Sequence, residues 1–219
     1  MPQFLANDNR KKTKYQTKKQ RPLMPCLSPV NQLLCGLIGL LLTICGTLIE
    51  AHVVKFPDPL LSGKIEVESL NITFQIGAVL LTGCLGGKNA GAISQIAYLL
   101  IGLFFLPVFD RGGTLEYIQQ PGFGYLVGFI PGAWLCGSLA YYTAAKLENL
   151  ALSSICGLAI VHLCGITYIL GRSISSYAEQ GSRPLELILQ YSVSPLPGQL
   201  IIICAVATIA FFLRRIMFN

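Results

Sequence analysis

Six apolar stretches, each about as long as a lipid bilayer is thick, dictate the environment of this chain: residues 30–49, 70–87, 90–108, 122–145, 150–171 and 194–213. Composition agrees, since the 219 residues are 53% hydrophobic and 12% charged, about half the charge fraction of a soluble domain. The expectation is an all-α membrane protein with six transmembrane helices over residues 30–219, preceded by a basic, disordered tail over residues 1–29. An even number of spans puts both termini on one side, and the basic residues choose which. Arg10, Lys11, Lys12, Lys14, Lys18, Lys19 and Arg21 in the tail join Lys88, Lys146, Arg214 and Arg215 on that side, against Lys55, Lys64, Arg111, Arg172 and Arg183 on the other. By the positive-inside tendency, both termini are cytoplasmic. Three long connections, 52–69, 111–121 and 172–193, then lie outside. The short turns 86–89 and 146–149 lie inside and join antiparallel neighbours.

Several chemistries are excluded early. The basic tail is long and the first apolar run is nearly a full span, so residues 30–49 read as a retained helix rather than a cleavable leader. Gly86-Gly87-Lys88-Asn89 suggests a phosphate-binding loop, but the required outer positions hold Thr82 and Asn89, so no nucleotide site is expected. The eight cysteines contain no Cys-x-x-Cys pair and fall mostly inside apolar runs, where they behave as small hydrophobes; no metal site is expected. With His52 and His162 the only histidines, and with neither a zinc-protease nor a nucleophile-elbow motif, no catalytic constellation is found and the chain is not expected to be an enzyme. No Asp, Glu, Lys or Arg lies deep in a span, which speaks against a carrier driven by its own proton or sodium coupling.

The remaining polar and aromatic residues concentrate at one end. Residues 106–129, LPVFDRGGTLEYIQQPGFGYLVGF, combine helix-stopping Pro107, the permissive pair Gly112 and Gly113, and a Pro121-Gly122 turn. Phe109, Tyr117, Phe123 and Tyr125 supply flat apolar walls, while Asp110, Arg111, Glu116, Gln119 and Gln120 supply polar groups, as a small-molecule site requires. Asn71 and Gln75 are four apart and are expected on one inward face of the second helix. The third helix carries Gly91, Ser94, Gln95, Tyr98 and Gly102 as an inward polar stripe, in which Tyr98 either meets a ligand or caps an interhelical hydrogen bond. His162 reads as hydrogen-bonded packing, and Trp134 as a core residue. On the first helix Cys35, Gly36, Gly39 and Thr43 form a small-residue stripe for close helix approach.

The order of LPVF, the following Gly-Gly, a Pro and then GYLVGF resembles the BioY family, as do Asn71-Ile72-Thr73-Phe74-Gln75, the GAISQIAYLLIGL run and Pro195-Leu196-Pro197-Gly198. BioY proteins are the biotin-specific substrate-binding S components of energy-coupling-factor (ECF) vitamin importers. The resemblance implies a bacterial-type plasma-membrane protein that binds biotin from outside. Its partners would be a coupling transmembrane protein, two ABC-type ATPases and membrane lipid, with neither nucleic acid nor cofactor. With biotin as the ligand, the expected contacts are Gln75, Tyr98, Phe109, Arg111, Gly112, Gly113, Tyr125 and Gln199. Amides match the ureido group in both hydrogen-bonding roles. Arg111 either takes the valerate carboxylate or pairs with Asp110 or Glu116. The stripe Cys35, Gly36, Gly39 and Thr43 either docks the coupling protein or packs within the chain's own bundle. The family's common Asp and Lys near the last helix are here Gln199 and Ile202. Either recognition is rearranged around Arg111 and Gln199, or the ligand is another small vitamin or precursor. A reading from a different class is a membrane scaffold anchored by its polybasic tail.

Overall fold

The computed structural model describes residues 28–55, 66–109, 112–142, 144–175 and 183–217. The expected tail therefore lies almost wholly outside the described residues, as do Arg111 and Asp110. Helix α1 (Pro29–Leu48) starts where Ser28 Oγ accepts the Asn31 N–H at 3.3 Å and Pro29 supplies a preset first turn. There follow β1 (Glu50–Lys55), β2 (Glu66–Thr73), α2 (Gln75–Phe104), a 3-10 turn (Leu115–Gln119), α3 (Phe123–Tyr142) and α4 (Leu147–Ser175). A short α5 (Pro184–Ile188) runs through a π-helical turn (Leu189–Val193) into α6 (Leu196–Met217). Among the described residues, five helical segments are long and apolar enough to cross a membrane: Pro29–Leu48, Gln75–Phe104, Phe123–Tyr142, Leu147–Ile174 and Pro184–Met217.

The second of these is not a single rod. A straight helix would put Gln75 and Tyr98 about 35 Å apart, yet their side chains are hydrogen-bonded at 2.9 Å. The reversal is at Gly87, whose φ of 78° and ψ of −177° break the helix and favour a residue without a Cβ. Two antiparallel legs result, 75–86 and 88–104, with Gly83 and Gly91 facing each other across the fold. The short turn expected at 86–89 thus sits at Gly87.

The beginning of that region differs from expectation. Residues 70–73 belong to β2, which pairs antiparallel with β1 through Glu50↔Thr73 and His52↔Ser69, with an irregularity between them. Asn71 is therefore in a strand, and the helical face it was expected to share with Gln75 does not exist. Ile72 and Thr73 are β-branched and suit an extended backbone, and the helix begins only at Gln75, with no side-chain cap from Phe74. The connection over 52–69 is accordingly a β-hairpin at both of its described ends, its residues 56–65 lying outside the described residues.

Small residues let the helices approach closely. The Gly36, Gly39 and Thr43 stripe is buried, with Gly39 seated on the Thr82 side chain and Gly36 on the Ala90 backbone. Thr43 Oγ1 accepts from Gln95 Nε2 at 3.2 Å. Cys35 is half-buried beside Gly86. Within the bundle, the stripe packs α1 onto α2. The opposite face of α1, with Leu33 at 68% exposure and Leu41 at 56%, is free for lipid. Trp134 also departs from expectation. It is 46% exposed, with Lys88 Nζ 5.9 Å from its ring, because the inward side of α3 is taken by Ala133, Cys136 and Gly137.

The Gly87 end is closed by α6. Arg214 is 2% exposed, donates from Nη1 to Ala140 O at 2.8 Å and lies 4.3 Å over the Tyr141 ring. Tyr141 in turn donates to Leu85 O at 2.5 Å. Those contacts tie the last helix to both α3 and the first leg of α2.

Candidate functional site

At the β-hairpin end, polar groups that an apolar bundle normally excludes are gathered around one phenol. Tyr98, 1% exposed, accepts from Gln75 Nε2 at 2.9 Å, donates to Val108 O at 3.1 Å and meets Thr47 Oγ1 at 3.1 Å. Its hydroxyl thereby joins α1, both legs of α2 and the chain that follows. Such a network fixes geometry because each buried polar group left without a partner is costly. Both sequence alternatives for Tyr98 are compatible with this arrangement, since it makes the interhelical bonds and forms part of an aromatic wall. Phe109 stands edge-on to it with ring centroids 5.4 Å apart, and Tyr117 lies 4.8 Å beyond Phe109.

The loop is built to hold those rings. Gly112 N–H returns to Phe109 O at 3.0 Å, closing a tight turn with Gly112 at φ 96°. Gly113 fits against Gly102 O, Pro107 and Leu106 O, where any Cβ would be within 2.9 Å of all three. Gly102, one turn after Tyr98, has no room for a side chain because the Phe109 ring occupies it. Thr114 takes φ 94°, an uncommon value for a β-branched residue, and is held there by its N–H bond to Gly102 O at 3.0 Å.

A second polar group faces the same end from the other helices. Tyr125 shares a 2.6 Å hydrogen bond with Ser192, stacks on Tyr191 at 6.1 Å and stands edge-on to His162 at 5.8 Å. Gly165 on α4 makes room for the Tyr125 ring. His162 Nε2 lies 2.8 Å from Gln199 Oε1; an amide oxygen only accepts, so Nε2 carries the proton. Tyr168 donates its hydroxyl to Ile118 O and so binds the 3-10 turn to α4.

These contacts form a continuous arc. It runs from Gln75 through Tyr98, Phe109 and Tyr117 to Gly122, whose Cβ position lies 3.3 Å from Tyr117 Oη and 3.7 Å from Tyr191. From Tyr191 it continues through Tyr125 and His162 to Gln199. One turn along α6, Ile202 is 4% exposed and sits 2.8 Å from the Cβ position of Gly77, two residues from Gln75.

The expected site residues Gln75, Tyr98, Phe109, Gly112, Gly113, Tyr125 and Gln199 thus share this end of the bundle, while Arg111 lies outside the described residues. Sequence reasoning missed Thr47, Tyr191 and Ser192, whereas its reading of His162 as hydrogen-bonded packing agrees with the bond to Gln199. Their signal was weak because an isolated polar residue in a helix says nothing about which distant helix supplies its partner. Ile202, at a position where the resemblance implied a ligand contact in other family members, is core packing here.

A bundle of apolar helices that keeps amides, phenols and an imidazole together at one end, walled by aromatic rings, is an α-helical membrane protein with a candidate small-molecule site. The chain belongs to the BioY family, which it matches over residues 24–219. It is 31% identical over 148 residues to an uncharacterized 21.2 kDa protein from Cyanophora paradoxa, covering 68% of this chain and 76% of that one. It is 37% identical over 107 residues to a probable biotin transporter BioY from Lysinibacillus sphaericus, covering 48% of this chain and 55% of that one. In the latter match it spans about half of the relative's length. The S-component for biotin from an ECF-type ABC transporter, known from its crystal structure, superposes with a TM-score of 0.63 at 20% identity, covering 86% of this chain and 95% of that one. That likeness establishes a shared fold.

Proposed function

We propose that this protein is the biotin-binding S component of an ECF-type vitamin importer. The observation that carries the reading is the Gln75–Tyr98 pair, an amide and a phenol hydrogen-bonded within an aromatic arc of contacts, in a member of the BioY family. A ureido group offers one acceptor and two N–H donors, and a bicyclic apolar body suits Phe109, Tyr117 and Tyr125. The pocket end faces outward and both termini are cytoplasmic, which the distribution of basic residues supports; the two legs of α2 then count separately, making six spans. The chain does no covalent chemistry. A coupling membrane protein and two ATPases supply the energy.

The test is calorimetric titration of the detergent-purified, ligand-stripped protein with biotin. Saturable one-to-one binding in the nanomolar range is expected, and the absence of both heat and thermal stabilisation overturns the ligand assignment. Arg111→Ala is expected to weaken biotin binding by roughly tenfold or more, the loss of a charge-assisted hydrogen bond; unchanged affinity rules out Arg111 as the carboxylate partner. A different vitamin on the same fold is the second reading, favoured by Ile202 lying in the core and Gln199 being tied to His162. A competition panel of vitamins and precursors separates the two.

A further inference from the structure

We infer that His162 is a specificity-determining residue of this pocket, presenting Nδ1 as a hydrogen-bond acceptor to an N–H donor of the ligand. The inference rests on the reading of the pocket as the biotin site and assigns one of its contacts.

The argument starts from the tautomer. Gln199 Oε1, 2.8 Å away, fixes the proton on Nε2. A neutral imidazole with its proton there carries a lone pair on Nδ1. His162 is 9% exposed, and Nδ1 is buried with no hydrogen-bond partner among the described residues. A buried acceptor with no donor is unfavourable, and native structures seldom leave one without a reason.

The surroundings say what the donor belongs to. The imidazole stands edge-on to Tyr125, and that ring is stacked on Tyr191 and hydrogen-bonded through its hydroxyl to Ser192. The Tyr125 hydroxyl already has a partner in Ser192, and the Gln199 carbonyl is already occupied by the imidazole. Those oxygens each have one partner, whereas Nδ1 has none among the described residues. On the opposite side Gln75 Nε2 and the Tyr98 hydroxyl are already engaged with each other. A molecule with an N–H at the edge of an apolar bicycle satisfies Nδ1 and lays its body on the aromatic wall. The ureido N–H groups of biotin fit that description. Gln199 thus acts as a positioning residue: by holding Nε2–H, it keeps Nδ1 deprotonated and receptive.

The experiment uses the intact wild-type protein. The chain has only two histidines, so uniform 15N labelling of histidine gives a spectrum that a His52→Gln variant assigns. On adding biotin, the unprotonated Nδ1 resonance of His162 is expected to move toward the protonated value, as accepting a hydrogen bond requires, while His52 stays in place. A second arm measures biotin and its two mono-N-methyl ureido derivatives against wild type, His162→Phe and His162→Asn, whose Oδ1 restores an acceptor near Nδ1. His162→Phe should lose roughly tenfold for biotin but little further for the derivative lacking the matching N–H, and His162→Asn should recover most of the loss. If biotin binds saturably and the Nδ1 resonance does not move, or if His162→Phe weakens biotin and both derivatives equally, the inference is overturned and the biotin assignment survives. If calorimetry shows no biotin binding, the ligand assignment itself falls, and this contact with it.

Discussion

Gly137→Ala is expected to lower the melting temperature by on the order of 10 °C in detergent, the upper end of what overpacking one methyl group costs in a chain of this size. A Cβ at residue 137 would stand 2.5 Å from both Gly87 C and Lys88 N, and 2.9 Å from Gly83 O. Those three atoms are backbone, and two of them belong to the reversal that folds α2 onto itself. A side chain in the way can rotate; the backbone of a tight turn cannot move without opening the hairpin. Ser138→Ala, one residue along α3, is the control and should melt like the wild type. Equal melting temperatures for Gly137→Ala and wild type would sink the close approach of α3 to the Gly87 turn.

Tyr98→Phe is expected to cost on the order of a hundredfold in biotin affinity while the aromatic wall persists. The substitution keeps the ring against Phe109 and removes only the hydroxyl, to which Gln75, Val108 and Thr47 all turn. Each buried group left without a partner is unfavourable by about 1–3 kcal/mol, and the Gln75 amide and Val108 carbonyl both lose theirs. Val108 opens the loop that carries Phe109 and Gly112, so the hydroxyl also ties that loop to α2. Thr47→Val touches the same hydroxyl from the side and should cost less, because Thr47 also bonds to Thr43 O at 2.8 Å. Titration of the three proteins with biotin decides it, and full affinity in Tyr98→Phe would remove this hydroxyl from the recognition scheme.

Much of this architecture was legible in the chain, for reasons that particular residues make plain. Apolar runs mark where helices cross, and the break at Gly86-Gly87-Lys88-Asn89 marked the reversal between two of them. Gln75, Tyr98 and Gln199 stood out because polar side chains are conspicuous where everything nearby is apolar. Strand β2 was not legible. Its residues 70–73 continue into an apolar helix without a visible boundary, and the partner that makes them a strand is β1, across a connection that includes Pro57 and Pro59. The orientation of Trp134 was illegible for another reason: α3 carries glycine and alanine on more than one side, so hydrophobicity did not distinguish an inner from an outer face. The His162–Gln199 contact spans 37 residues and two helices, and only the packed fold brings its members together.

The first leg of α2, residues 75–86, is about 18 Å long at the helical rise, little more than half the apolar thickness of a bilayer. Below Gln75 it is walled in by Val79, Leu80, Cys84, Ala133 and Cys136, all at 0% exposure. That layer is a floor. Under the proposed function, a ligand resting on it would leave toward the end where the β-hairpin and the aromatic loop lie, because leaving downward means parting helices whose backbones touch.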